Sequence, residues 1–202
     1  MGSSSMGNRK FHTESLVLNL RPDRLIWSQT WESIFKRVRY YKMGRNFGYG
    51  IELDVDDFGA TKIFRELTGL PLHDKFYFLI TNRRSPEFPI HVDGTHGNRN
   101  VASINWPLMG CDEQSVTQYY HFDQMRFDNV DGSYFISNPE DGELAGSVVL
   151  KDNQPVLFRS DIPHRGYCGR HDNQMRVIVK WGLYYGSWTE ACKAFRDADL
   201  AA

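Results

Sequence analysis

Between Lys75 and Leu183 the chain breaks into short runs rich in Val, Ile, Phe, Tyr and Trp, each closed by turn residues, and this punctuation constrains the fold most. The runs are Lys75 to Thr81, Pro89 to Val92, Val101 to Leu108, Val116 to Phe122, Ser133 to Ser137, Ser147 to Leu150, Pro155 to Ser160, His164 to Cys168 and Met175 to Leu183. Strands at this spacing predict a mainly β (α+β) fold, a double-sheet jelly roll with helices covering one sheet.

The flanks read differently. Leu16-Val17-Leu18-Asn19-Leu20 is a short apolar run ended by Arg21-Pro22, a strand at the start of the domain. Trp27, Trp31, Ile34, Phe35 and Val38 recur at helical steps and predict an amphipathic helix from Asp23 to Arg39. Lys36, Arg37, Arg39, Lys42 and Arg45 make a local basic run that could meet an anionic substrate, a solvated face being the default reading. After a loop carrying Gly44, Gly48 and Gly50, Asp56-Asp57 can cap a second helix bearing Ile63, Phe64, Leu67 and Leu70, stopped by Gly69 and Pro71. Ser187 with Glu190 resembles a capping box and predicts a terminal helix with Cys192 and Phe195 inward.

At 202 residues and 41% apolar content, the chain suffices for one full core and is short for two. Residues 1–10 read as a disordered leader or expression scar, and 11–202 as a single domain with its core at about 75–183. The balance of 24 basic against 25 acidic residues creates no global field toward duplex nucleic acid or anionic lipid. Cys111, Cys168 and Cys192 fit neither a disulfide framework nor a zinc ribbon and read as reduced thiols of a cytoplasmic protein. No run is long and apolar enough for a membrane span.

Chemistry concentrates at His91-Val92-Asp93-Gly94. On an extended segment alternate side chains share one side, so His91 and Asp93 can offer an imidazole and a carboxylate to one ion while Val92 faces away. A distant His164 would complete a two-His, one-carboxylate face with open positions, which suits non-heme Fe(II). His121-Phe122-Asp123 repeats the pattern. His91 is preferred because the longer interval to His164 leaves room for several strands, and because a Gly-bearing loop follows it, where a pocket mouth can form. Otherwise His91 and Asp93 are a surface pair on an edge strand.

Arg176 stands in the apolar run Met175-Arg176-Val177-Ile178-Val179-Lys180-Trp181. Burying a cation there is costly unless an anion meets it. A guanidinium grips a carboxylate with two hydrogen bonds, implying a carboxylate-bearing co-substrate. The alternatives are a structural ion pair and, on the same face, Lys180 as the anchor.

In this order and spacing, His91-X-Asp93, His164 and Arg176 resemble the Fe(II)- and 2-oxoglutarate-dependent oxygenases, from about Phe76 to Trp181. The prolyl-hydroxylase-like branch is the most similar: Arg99-Asn100-Val101-Ala102-Ser103-Ile104-Asn105-Trp106-Pro107-Leu108 follows the metal motif, and Trp181 follows Arg176. The resemblance implies a double-stranded β-helix (jelly-roll, cupin-like) in which His91, Asp93 and His164 bind Fe(II) and Arg176 holds the far carboxylate of 2-oxoglutarate. It implies that O2 is consumed, succinate and CO2 are released, and a small-molecule, amino-acid or peptidyl substrate is hydroxylated. Thr117 resembles by position a strand Thr that assists the far carboxylate. The Gly-Gly pair usual before it is replaced by Gln114-Ser115-Val116, and Thr81 and Asn82 stand where a co-substrate Tyr is usual. Asp93 argues against halogenation. Two other classes remain: a metal-binding cupin-like enzyme without 2-oxoglutarate, and a non-catalytic jelly-roll module using Trp106, Tyr119 and Tyr120 as a binding platform.

Overall fold

Two antiparallel sheets face each other, and the register of their strands decides which side chains enter the space between them. The computed structural model describes residues 15–18, 39–42, 49–54, 65–66, 69–81, 88–95, 98–99, 101–130, 133–152, 154–168 and 176–201. The larger sheet has the order β1-β12-β7-β14-β4-β3-β2. Its strands are β1 (Ser15–Val17), β2 (Arg39–Lys42), β3 (Tyr49–Asp54), β4 (Leu72–Thr81), β7 (Ala102–Met109), β12 (Val156–Arg159) and β14 (Arg176–Leu183). Short β5 (Gly94–Thr95) and β6 (Asn98–Arg99) pair antiparallel just after His91-Val92-Asp93.

The smaller sheet contains β8 (Ser115–His121), β11 (Glu143–Val149) and β13 (His164–Cys168), with β13 and β11 on either side of β8. The segment around His91 extends it. His91 bridges antiparallel to His164 on one flank and to Phe135 on the other, Phe135 belonging to β10 (Ser133–Ile136), which pairs with β9 (Phe127–Val130). The order is therefore β9, β10, the His91 segment, β13, β8 and β11.

Alternation along β14 divides the interior into layers. Val177, Val179, Trp181 and Leu183 join Ile104, Trp106 and Leu72 in a core closed by Ala191, Cys192 and Phe195 of helix α1 (Trp188–Asp197). Each large side chain buried here contributes roughly 1.5–3 kcal/mol. Arg176, Ile178 and Lys180 fall on the opposite face by strand alternation. There Ile178 packs with Phe158 and Val156 of β12 and Tyr119 of β8, the cluster that joins the two sheets.

Several expectations change at the ends of elements. Tyr49–Asp54 is a strand although Gly50 suggested loop, because it pairs with β4 along its whole length. Arg39, placed at the end of a helix from the sequence, lies in β2; the rest of that expected helix and the leader fall outside the described residues. The first seventy residues thus supply three strands of the larger sheet rather than helical buttresses alone. Of the second expected helix, residues 65–66 are helical, and Gly69, at φ 67°, closes it with its N–H on the Arg65 carbonyl. Pro89 to Val92 is no regular strand: Pro89 has no N–H, and the segment joins the ladder through the bridges at His91 and the hydrogen bond from Phe88 N to the Gly166 carbonyl. The terminal helix is capped as expected, Ser187 Oγ accepting from Glu190 N at 3.2 Å, while Glu190 reaches back to Gly186 N. Cys111 and Cys192 are buried in separate clusters.

Candidate metal centre

Backbone pairing brings the two candidate imidazoles together before any side-chain contact is counted. His91 N donates to the His164 carbonyl at 3.0 Å and His164 N to the His91 carbonyl at 2.9 Å, so the two rings rise from one antiparallel pair. Their centroids are 4.4 Å apart. Asp93 N donates to the Ser160 carbonyl at 2.8 Å, which holds the third residue of the motif beside the turn that leads into β13. One potential ligand atom from each of His91, Asp93 and His164 lies within 4.8 Å of the others.

Both imidazoles are held in one tautomer. His91 Nδ1 is 2.8 Å from the Pro89 carbonyl and His164 Nδ1 is 2.8 Å from the Ile162 carbonyl. A carbonyl oxygen can only accept, so each Nδ1 carries the proton and donates. Each Nε2 keeps a lone pair for a metal, the arrangement that orients ligating histidines. Burial, assisted by the neighbouring His91, pushes His164 down to about 3. His91 is lowered as well, burial again being the largest cause. For Asp93 burial opposes ionisation, but the Lys180 ammonium and then the two imidazoles outweigh it and leave the carboxyl at about 2. At neutral pH the three residues offer two neutral nitrogens and one carboxylate.

Around them the walls are aromatic. Phe158 lies edge-on to His164 with centroids 4.9 Å apart, and Tyr119, in register with His164, is buried beside both. Phe88 and Phe135 flank His91 at 6.5 and 6.0 Å. Lys180 Nζ is bonded to Asp93 Oδ2 and stands 5.3 Å from the Phe158 ring centroid. Its ammonium is therefore at the carboxylate of the candidate site.

Arg176 is buried at the start of β14. Its Nη1 donates to the Tyr167 carbonyl at 3.1 Å, and it lies 3.4 Å from where a Cβ on Gly166 would stand. Thr117, buried on β8, is the register partner of that same Gly166. Arg176 and Thr117 thus both border Gly166, two residues along β13 from His164. Asn105, in register with Lys180 and buried, was not singled out from the sequence; its amide oxygen has no hydrogen-bond partner among the described residues. A single Asn in an apolar strand run was the available signal.

The second His-X-Asp pattern lies outside this cluster. His121 ends β8 in register with Glu143, its side chain 46% exposed, with Nε2 3.6 Å from a fully exposed Asp123. The binding-platform expectation is overturned for two of its residues. Trp106 is buried in the core beneath α1 and Tyr119 between the sheets, so they occupy different layers; Tyr120 lies beneath the Arg165 guanidinium.

No protein-family model and no curated protein matches the sequence. Among solved structures, the chain resembles the non-heme alpha ketoglutarate dependent carbocyclase SnoK from nogalamycin biosynthesis, with TM-score 0.55 and 11% identity over 84% of this chain and 78% of that one. It also resembles the epimerase SnoN, solved with Fe3+, alpha ketoglutarate and nogalamycin RO, with TM-score 0.52 and 12% identity over 84% and 78%. A Pseudomonas putida prolyl-4-hydroxylase aligns with TM-score 0.39 and 13% identity over 73% and 79%. At these identities the first two likenesses define the fold, a mainly β jelly roll of the kind used by Fe/2-oxoglutarate enzymes. A His-X-Asp…His cluster sits within it.

Proposed function

We propose that this chain is an Fe(II)- and 2-oxoglutarate-dependent oxygenase of the prolyl-hydroxylase-like branch. In this reading it hydroxylates a C–H bond of a small-molecule, amino-acid or peptidyl substrate with release of succinate and CO2. The observation that carries the reading is the gathering of two Nδ1-tethered imidazoles and an ionised carboxylate next to a buried aromatic wall. Two nitrogens and one oxygen fit Fe(II) and leave coordination positions open. Iron, when bound, would supply the activation of O2, and decarboxylation of 2-oxoglutarate to succinate and CO2 would supply two of the four electrons O2 takes up, the substrate C–H bond giving the other two.

The chain's own residues do the rest. The Pro89 and Ile162 carbonyls keep the Nε2 lone pairs of His91 and His164 aimed at the ion. Arg176 offers its planar fork to the far carboxylate of 2-oxoglutarate, and Thr117, beside the same Gly166, adds a hydroxyl donor. Phe158 and Tyr119 exclude water from the reacting region, which strengthens the polar contacts made there. Asp93 occupies a position that halogenating members leave to halide. In support of the branch, Trp106 and Trp181, which carry part of the sequence resemblance, pack in one core behind the site.

Anaerobic calorimetric titration of 2-oxoglutarate into the Mn(II)-loaded protein tests the reading. Saturable binding that depends on Mn(II) is expected. A protein that binds Mn(II) but no 2-oxoglutarate would instead be a metal cupin of another kind.

A further inference from the structure

The residue left over by this account is Lys180. It sits in the interior face of β14, its ammonium is bonded to Asp93 Oδ2, and both side chains are largely buried, 12% and 14% exposed. The other oxygen, Oδ1, is the one turned to His91 Nε2, at 3.7 Å. One carboxylate oxygen therefore faces the metal position and the other is taken by a cation. Behind a ligating histidine the partner is a carbonyl, carboxylate or water, which raises the ligand's donor strength, whereas behind a ligating carboxylate it must be a hydrogen-bond donor. A donor that carries a full charge goes further than a neutral one: it withdraws charge from the carboxylate and repels an incoming dication across a short, poorly screened distance.

We propose that Lys180 is a positioning and charge-balancing residue of the metal centre: it stabilises Asp93 in the metal-free protein and weakens divalent-cation binding until an anionic co-ligand enters. Metal-free, Asp93 and Lys180 cancel, and the buried carboxylate is satisfied. With the ion bound, Lys180 adds a positive charge to a site already carrying an excess, and a dianion bound beside it relieves that excess. Metal and dianion then favour each other's binding by the same factor. This last step rests on the function proposed above; the effect of Lys180 on the metal alone does not.

The test compares wild type with Lys180→Met and Lys180→Gln. Gln keeps a hydrogen-bond donor for Asp93 and loses the charge, and it serves as well if the Met variant does not fold. Mn(II) affinity is read by calorimetry and by the rise in Tm on adding Mn(II), which grows as Kd falls. Both variants should bind Mn(II) roughly 10–100-fold more tightly than wild type, the scale of outer-shell effects. Their metal-free forms should melt lower, and Mn(II) should raise Tm by more. Adding 2-oxoglutarate should tighten Mn(II) binding by a larger factor in wild type than in either variant. Equal or weaker Mn(II) binding by the Gln variant overturns the proposal, because the side chain would then act only as a geometric clamp or not at all. If wild type shows no 2-oxoglutarate binding, the oxygenase reading falls, while the Mn(II) comparison still decides the role of Lys180.

Discussion

Two segments of this chain carry the same local pattern, His91-Val92-Asp93 and His121-Phe122-Asp123, and they end in opposite environments. In each, Nε2 and a carboxylate oxygen are within about the same distance, 3.7 Å in the first and 3.6 Å in the second. What separates them is everything else. His91 is bridged on both flanks, has its Nδ1 proton tied to a carbonyl, and faces His164 from the next strand. His121 stands at the end of β8 with half its side chain in water and a fully exposed Asp123 for company. An i, i+2 pair is thus only half a metal site: desolvation and a third ligand come from neighbouring strands, and the fixed tautomer from a carbonyl two residues earlier in the same segment.

The largest effect should come from removing a ligand. His91→Ala and His164→Ala should abolish saturable Mn(II) binding in calorimetry, whereas His121→Ala binds as wild type does. Loss of metal in the His121 variant, with its circular dichroism unchanged, would exchange the roles of the two segments. Next comes the residue that separates an oxygenase site from a bare metal site. Arg176→Met should raise the 2-oxoglutarate Kd by about two to three orders of magnitude, since losing one partner of a buried charged pair costs about 3–5 kcal/mol. Its Mn(II) affinity should change little, and unchanged 2-oxoglutarate binding would move the anchor elsewhere.

A smaller and graded effect follows from the depressed His164. The unfolded chain takes up a proton at this residue near its ordinary pKa, about 6.5, whereas the folded protein does so only at about 3. Between those values the unfolded state binds more protons, so metal-free stability falls as pH is lowered, by up to about 1.4 kcal/mol per pH unit from this group. The Tm of wild type should drop between pH 7 and pH 5, and His164→Asn should flatten that slope; parallel slopes would show that His164 protonates freely in the folded state. The smallest effect should be at the second segment. Asp123→Ala should leave both Tm and Mn(II) binding at wild-type values, and a lower Tm would mean that the surface pair is structural after all.

Much of this architecture was legible in the chain. The runs that became β4, β7, β8, β10, β12, β13 and β14 announce themselves by β-branched and aromatic residues between turn signals. The cap at Ser187 and the stop at Gly69 follow from local backbone chemistry. Less legible were β2 and β3, where Tyr40, Tyr41, Tyr49 and Ile51 are interrupted by Gly and charged residues; β3 gains its place by pairing with β4, and β2 by pairing with β3. The His91 segment was visible as a motif but not as a member of a sheet, since Pro89 breaks its ladder and two bridges to distant strands replace it.

The sequence by itself determined the period-two alternation that puts His91 with Asp93, and Arg176 with Ile178 and Lys180, because side-chain direction in an extended chain is a local property. It also determined that a cation in an apolar strand needs an anion or a polar neighbour. Only the tertiary structure decided which neighbour each cation received. Arg176 and Lys180 are both cations and lie on the same face of one strand. Yet the first reaches the Tyr167 carbonyl beside Gly166 and the second reaches Asp93, because register across the two sheets sets what each side chain meets. The same register made His164, and not His121, the partner of His91: hydrogen bonds between strands distant in sequence fix which side chains share the interior, and no local pattern encodes that choice.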